Sequence, residues 1–300
     1  MSELTRRWVD AMRLGRFDLA WRLAEQALAS RDPGTRDDPS LPYDLRWLWD
    51  GTCFDAKHVL VRCYHGLGDT LQFARYLPRL AERAASVTVE AQERLCGLLA
   101  GLPGIDRLTA FDPASPLPRA ECEMEIGEIA FALREPPSQV EPPYLHAAPA
   151  ALPAGTIGIC YSSGDWDPER SVPAALFRSL CGAGPCITLV PERTALPVLN
   201  PEGCPYDMAA TASMVAAADL IITVDTMIAH LAGAMGRPTW LLLKADADWR
   251  WPAAGKASPW YPSMRLFAQP RPGDWCAVLA QVERALAHRE MPASERRACG

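Results

Sequence analysis

Three stretches of the sequence combine groups able to do acid–base or phosphate chemistry with a passage from strand to helix. The first is His65-Gly66-Leu67-Gly68-Asp69-Thr70. Its two glycines let the backbone turn tightly or approach a ligand. Asp69 falls at the start of the following helix, where a carboxylate either caps free N–H groups or, facing a cleft, acts as a general base. The second is Thr223-Val224-Asp225-Thr226-Met227-Ile228-Ala229-His230. The amides and dipole of a helix starting at Thr226 suit a diphosphate, and the Thr226 hydroxyl can donate to a phosphate oxygen. His230 lies one turn further along the same face. The bland alternatives are a hydrogen-bonded core histidine and, for Asp225, a simple cap. The third stretch is the loop 162–173, with Asp165, Asp167, Glu169, Arg170 and Ser171. Arg170 has the forked geometry that grips phosphate, or it is satisfied by Asp167 or Glu169.

These groups need elements to hold them. Residues 4–30 have helical period, broken at Gly15-Arg16-Phe17 into two arms. The order Gly15, Phe17, Ala20, Ala27, Leu28, Pro33 looks like half of a tetratricopeptide unit; a plain amphipathic hairpin is the alternative. A single unit cannot bury its own face, so the hairpin is expected to dock on the main body or on a partner chain. Residues 31–44 read as a linker. Strands follow at 59–64, 87–90, 107–109 and 122–126, with a sharp turn at Gly66-Leu67-Gly68 and helices over 69–83 and 93–99. The proline-dense run 134–155 cannot supply regular ladder hydrogen bonds and marks a domain boundary. Beyond it, strands are predicted at 156–161, 186–190, 220–224 and 239–243, and helices at 172–180, 211–218, 226–235 and 273–288. Alternation of this kind predicts open parallel α/β sheets, with ligands at the carboxyl ends of the strands. The expected units are a helical hairpin (1–33) and two α/β domains, one over 45–140 and one over 155–290.

Bulk properties narrow the function. A chain of 300 residues accommodates two cores. A net charge of −6 argues against nucleic acid as a partner but leaves room for a small anion at a local site. The ten cysteines include no Cys-x-x-Cys pair, and several fall in predicted strands, so they read as reduced thiols. The first ten residues do not form a secretory signal, and the apolar run 214–224 is short and interrupted by Asp219, so no transmembrane segment is expected. A cytoplasmic location follows, with contact at the inner membrane left open.

The segment from His65 to Pro78, HGLGDTLQFARYLP, resembles the N-terminal motif of glycosyltransferase family 9-like domains, which include the ADP-heptose:lipopolysaccharide heptosyltransferases. The closest likeness is to bacterial proteins that join tetratricopeptide repeats to such a domain. Residues 225–238, DTMIAHLAGAMGRP, look like the family's donor motif. Trp249-Arg250-Trp251 and Ser258-Pro259-Trp260-Tyr261-Pro262-Ser263 look like the C-terminal motifs of the repeat-bearing group. The resemblance implies the GT-B fold, with an N-terminal Rossmann-like acceptor domain (45–140) and a C-terminal Rossmann-like nucleotide-sugar domain (155–290) facing a cleft. It implies an inverting transfer without metal or cofactor, from a nucleotide-sugar donor to a glycan or protein acceptor. It implies Asp69 as the general base. It puts Arg170, Ser171, Asp225, Thr226, Met227 and His230 at the donor, and His65, Gly66, Gly68, Thr70 and Gln72 near the acceptor or phosphate. Asp246-Ala247-Asp248 matches a metal–diphosphate motif of another glycosyltransferase fold, but the expected sheet topology differs, so no metal is expected there. The acidic loop and the single hairpin favour an alternative: a catalytically degenerate GT-B protein that binds a nucleotide sugar, or a partner through the hairpin.

Overall fold

The structure, a computed structural model, describes residues 2–164, 167–182, 184–252 and 255–290. The chain opens with the expected hairpin, α1 (Glu3–Arg13) and α2 (Phe17–Ala29). The Ser2 side chain caps α1 by accepting from the Thr5 amide, and Gly15 turns the chain at φ +66°. The hairpin docks on the body. The Trp8 ring lies 5.0 Å from Trp249, Phe17 lies 6.2 Å from Trp260, and Trp21 lies 6.3 Å from Phe131. Arg13 donates to Asp246 at 3.0 Å and to the Ala247 carbonyl.

The N-terminal lobe is built on β1 (His58–Arg62), β2 (Ser86–Ala91), β3 (Arg107–Ala110) and β4 (Cys122–Glu125), all parallel in the order β3-β2-β1-β4. Helices α3 (Leu67–Phe73), α4 (Leu77–Ala81), α5 (Glu93–Leu99) and α6 (Ile129–Leu133) complete it. The expected helix over 69–83 is thus two short helices joined by a 3₁₀ turn at Ala74–Tyr76. Pro78 explains the break, because it has no N–H to give the Ala74 carbonyl. Arg62 is buried between Glu90 at 2.5 Å and Glu123 at 2.8 Å, an ion triad across three neighbouring strands.

The C-terminal lobe has β5 (Ile157–Cys160), β6 (Cys186–Thr188), β7 (Leu220–Val224), β8 (Thr239–Leu243) and β9 (Met264–Ala268). They too are parallel, in the order β6-β5-β7-β8-β9. Every residue of β5, β7 and β8 is buried, as in a sheet covered on both faces. Helices α7 (Met208–Ala217), α8 (Met227–Ala234) and α9 (Trp275–Glu290) accompany them. β9 is an addition to the expected strands. The expected helix over 172–180 is replaced by 3₁₀ turns at Ala174–Phe177 and Leu180–Gly182. Pro173 on one side and Gly182 on the other leave too few residues to recover the cost of nucleating an α-helix.

The two lobes share one apolar core, which runs from the N-terminal sheet through α8 to Trp251, Trp260 and Tyr261. A second core lies between the other face of the C-terminal sheet and α9. The proline-rich connection stitches the lobes together. The Tyr144 amide donates to the Ala234 carbonyl at 2.9 Å, and the Tyr144 hydroxyl donates to the Leu71 carbonyl at 2.9 Å. Arg75 of the N-terminal lobe is 0 % exposed. Its guanidinium lies 5.0 Å from the rings of both Tyr144 and Tyr261 and donates to the Trp260 carbonyl at 2.8 Å. Its Nε and Nη1 have no hydrogen-bond partner among the described residues. The nine described cysteines are free thiols, with Cys63 and Cys160 buried as small apolar groups; Cys299 lies outside the described residues. No described helix is long and apolar enough to cross a membrane.

Candidate active site at the seam between the lobes

Helices α3 and α8 meet first turn to first turn, and glycine makes the contact possible. Gly66 has φ −66° and is the N-cap of α3, while Gly68 lies inside the helix, so the expected sharp turn at Gly66-Leu67-Gly68 is instead a helix start. The value of Gly68 is its missing side chain: a Cβ there would stand 2.8 Å from His230 Cδ2 and 3.5 Å from the Met227 Cα. Three residues further along α8, a Cβ on Gly233 would stand 2.5 Å from the Tyr261 ring. His230 is 5 % exposed, shares a 3.1 Å hydrogen bond with the Tyr261 hydroxyl, and stacks on Trp251 with centroids 5.7 Å apart. Burial, aided by the nearby arginines, pushes its pKa well below the usual histidine value, so the imidazole is neutral. The structure therefore places His230 as a hydrogen-bonded core residue of the seam.

Asp69 faces this seam from the N-terminal lobe. Its Oδ2 accepts from the Gly66 amide at 3.0 Å, which is the capping role. Its Oδ1 accepts from Arg250 Nη2, which reaches over from the C-terminal lobe. Arg250 also donates through Nε to Gln72 Oε1 at 2.6 Å and through Nη1 to Asp248 Oδ1 at 2.8 Å. Its guanidinium lies over the Trp249 ring at 4.3 Å. Gln72 Nε2 is buried without a partner among the described residues. Thr70 is buried and donates to Gln92 Oε1 at 3.0 Å. His65 Nδ1 sits 2.9 Å from Glu125 Oε1, and that hydrogen bond, working against burial, pushes the His65 pKa up to about 9.

Arg170 stands at the other end of the same row. Its Nε is 3.3 Å from Asp167, its Nη1 3.4 Å from Asp225 and its Nη2 3.8 Å from Asp248 Oδ2. Lys244 bonds Asp167 at 2.8 Å and Glu169 at 3.1 Å. Asp225 is not a cap: Thr226 occupies that position, and the Thr226 side chain makes no capping bond. Asp225 is 6 % exposed, and burial raises its pKa while Arg170 opposes the rise. Ser171 Oγ accepts from the Ser163 amide at 3.1 Å and so closes the loop on itself. Asp165 lies outside the described residues.

The structure thus brings Asp69, Gln72, Asp225 and Arg170 into one charged row, and adds Arg250 and Asp248 as the links. It places Gly68, Met227 and His230 at the helix contact beside that row, and His65 against Glu125. Asp246 and Asp248 diverge, the first to Arg13 and the second to Arg170 and Arg250. Among the described residues no cluster of three or more histidine, cysteine, aspartate or glutamate side chains could hold a metal ion. Arg250 was visible in the sequence only as the centre of Trp249-Arg250-Trp251. A lone arginine between two tryptophans beyond a strand end is the one signal that singles it out.

No family model matches the chain. Among curated proteins it is similar to Protein FlbA of Caulobacter vibrioides, 26% identical over 324 residues, covering 91% of this chain and 53% of that protein. The chain therefore spans about half the length of that curated relative. Among solved structures it is similar to a glycosyl transferase family 9 protein from Veillonella parvula, with TM-score 0.54, 13% identity, and coverage of 80% of this chain and 91% of that one. It is similar to E. coli ADP-heptose lps heptosyltransferase II, with TM-score 0.51, 15% identity, and coverage of 78% and 100%. It is also similar to E. coli heptosyltransferase WaaC, solved with ADP-2-deoxy-2-fluoro heptose, with TM-score 0.53, 12% identity, and coverage of 77% and 99%. At these identities the likeness is one of fold, and the chain has the two-lobed GT-B architecture of those structures.

Proposed function

We propose that the chain transfers a sugar from a nucleoside-diphosphate sugar to a hydroxyl of a glycan or protein acceptor. The observation that carries this reading is the row of alternating charge at the seam: Asp69 on one lobe meets Arg250 of the other, which Asp248 links to Arg170 and Asp225 beside the start of α8. In the proposed step Asp69 takes the acceptor proton while the acceptor oxygen bonds to the anomeric carbon, on the side opposite the diphosphate. The carbon–oxygen bond to the diphosphate breaks, its electron pair stays on the diphosphate, and the configuration inverts. Arg170 and the first amides of α8, which have no partner within the helix, receive that charge. The Thr226 hydroxyl, unused as a cap, is free to donate to the same phosphates, and Ser171 and Asp225 hold the loop and Arg170 in place. With cations already supplied by the protein, the transfer needs no metal or other cofactor. The similar structures described as heptosyltransferases, one of them bound to an ADP-sugar, support a nucleotide-linked donor. His65, Gly66, Thr70 and Gln72 border the acceptor side. The tetratricopeptide-like hairpin and a cytoplasmic setting belong to the same reading.

A second reading, a binding module without transfer, is favoured by one feature: Arg170 is already surrounded by Asp167, Asp225 and Asp248. Calorimetry with UDP, GDP and ADP tests the first reading. One of them is expected to bind, with the affinity falling about tenfold or more in Thr226→Ala, the scale of a lost hydrogen bond to a charged group. Transfer from the matching nucleotide sugar should survive chelating agents. No binding by any of the three nucleotides sinks the reading, and binding without transfer moves the protein to the second one.

A further inference from the structure

Arg250 is in none of the positions that the family likeness assigns to the donor, yet it holds the centre of the row. It grips Asp69 and Gln72 across the seam and Asp248 on its own loop. The second oxygen of Asp248 faces Arg170 Nη2 at 3.8 Å. One carboxylate therefore keeps two guanidinium groups together, one at each oxygen. A diphosphate presents the same pattern on a larger scale, two anionic groups joined by an oxygen, each able to take a forked pair of N–H bonds. Charge makes the comparison sharper. Among the described residues, Asp69, Asp167, Asp225, Asp248 and Glu169 surround three cations, Arg170, Arg250 and Lys244. A diphosphate cannot enter such a row unless a carboxylate gives up its cations.

On the footing of the transferase reading, we propose that Asp248 holds the place that the donor's diphosphate takes, and that Arg250 is the second diphosphate cation, drawn off Asp69 when the donor binds. The base is then covered until the donor is present. Oδ1 of Asp69 is taken by the guanidinium and Oδ2 by the Gly66 amide. Once Arg250 turns to the phosphate, Oδ1 is open to the acceptor hydroxyl, so donor binds first and acceptor second. The move requires only a side chain. Its guanidinium already rests on the face of Trp249, which can support it along the way. Rotation of whole lobes is not needed, and the buried Arg75 and the Gly68–His230 contact oppose it.

The test is calorimetry of the full chain with the nucleoside diphosphate that binds and with the corresponding monophosphate, in wild type, Asp248→Asn and Arg250→Gln. Asp248→Asn removes the competing charge and is expected to tighten diphosphate binding by about three- to tenfold. Arg250→Gln is expected to weaken it by about tenfold or more, the scale of a lost charged hydrogen bond. Monophosphate affinity should change much less in both. A gain in affinity cannot come from a poorly folded protein, so Asp248→Asn keeps the test valid if Arg250→Gln is unstable. Unchanged or weaker diphosphate binding in Asp248→Asn overturns the proposal, as does an equal loss of both nucleotides in Arg250→Gln. Wild-type protein that binds no diphosphate at all overturns the transferase reading as well; normal binding with indifferent variants overturns this proposal alone.

Discussion

Asp69 carries two jobs on one carboxylate. Its Oδ2 caps α3 and its Oδ1 meets Arg250. An asparagine keeps a carbonyl oxygen for the Gly66 amide but cannot accept a proton as a base. Asp69→Asn is therefore expected to fold normally, to bind the nucleotide no more weakly than wild type, and to turn over about 100-fold more slowly or worse, the scale of general-base loss. Steady-state kinetics beside calorimetry checks this; near-wild-type turnover would remove the assignment. At this scale the sequence was informative about which residues carry charge and much less about which charges meet. Asp69, Asp225 and Arg170 stand out because each follows a strand end. Their common neighbours, Arg250 and Asp248, come from a loop about 80 residues beyond Arg170 and across the seam from Asp69. Spacing along a chain does not report such pairings. For the same reason the local partner of Arg170, Asp167, was foreseeable at three residues' distance, whereas Asp225 and Asp248 were not.

The elements that bring these residues together depend on the approach of α3 to α8. A methyl group on Gly68 would lie 2.8 Å from the edge of a buried imidazole that is hydrogen-bonded to Tyr261 and stacked on Trp251. The ring has little room to yield, so Gly68→Ala is expected to cost about 1–3 kcal/mol, the usual range for overpacking. Urea denaturation measures it, and an unchanged midpoint would mean that the two helices part easily. The sequence suggested that Gly68 was needed for a turn or for closeness to a ligand; the structure shows closeness to a helix of the other lobe. Most strands were legible because buried parallel strands read as short apolar runs. β9 is broken as a buried run by the exposed Arg265 between Met264 and Leu266, and the aromatic loop before it hides its start. The lost helix over 172–180 shows the reverse failure, where composition favoured a helix that its proline and glycine flanks left too short.

On the scale of the whole molecule, the lobes are held as one body by a residue that gives up much of its solvation to do so. Arg75 has aromatic faces and one carbonyl around it, and no carboxylate pairs with it among the described residues. Its contribution is largely packing and cation–π contact, so removing its bulk should matter more than removing its charge. Arg75→Ala is expected to lose about 2–4 kcal/mol, as other large-to-small core changes do. Arg75→Met, which keeps the length of the stem, should lose clearly less. Chemical denaturation of the two variants side by side decides it; equal losses would show that the charge, not the volume, stabilises the seam.

The hairpin sits on the loop that presents Arg250. Trp8 rests on Trp249, and Arg13 bonds the carbonyl of Ala247 and the carboxylate of Asp246. Rings in such contact cannot separate without wetting both faces. A force that tilts α1 would therefore arrive within a few residues of the guanidinium that meets Asp69.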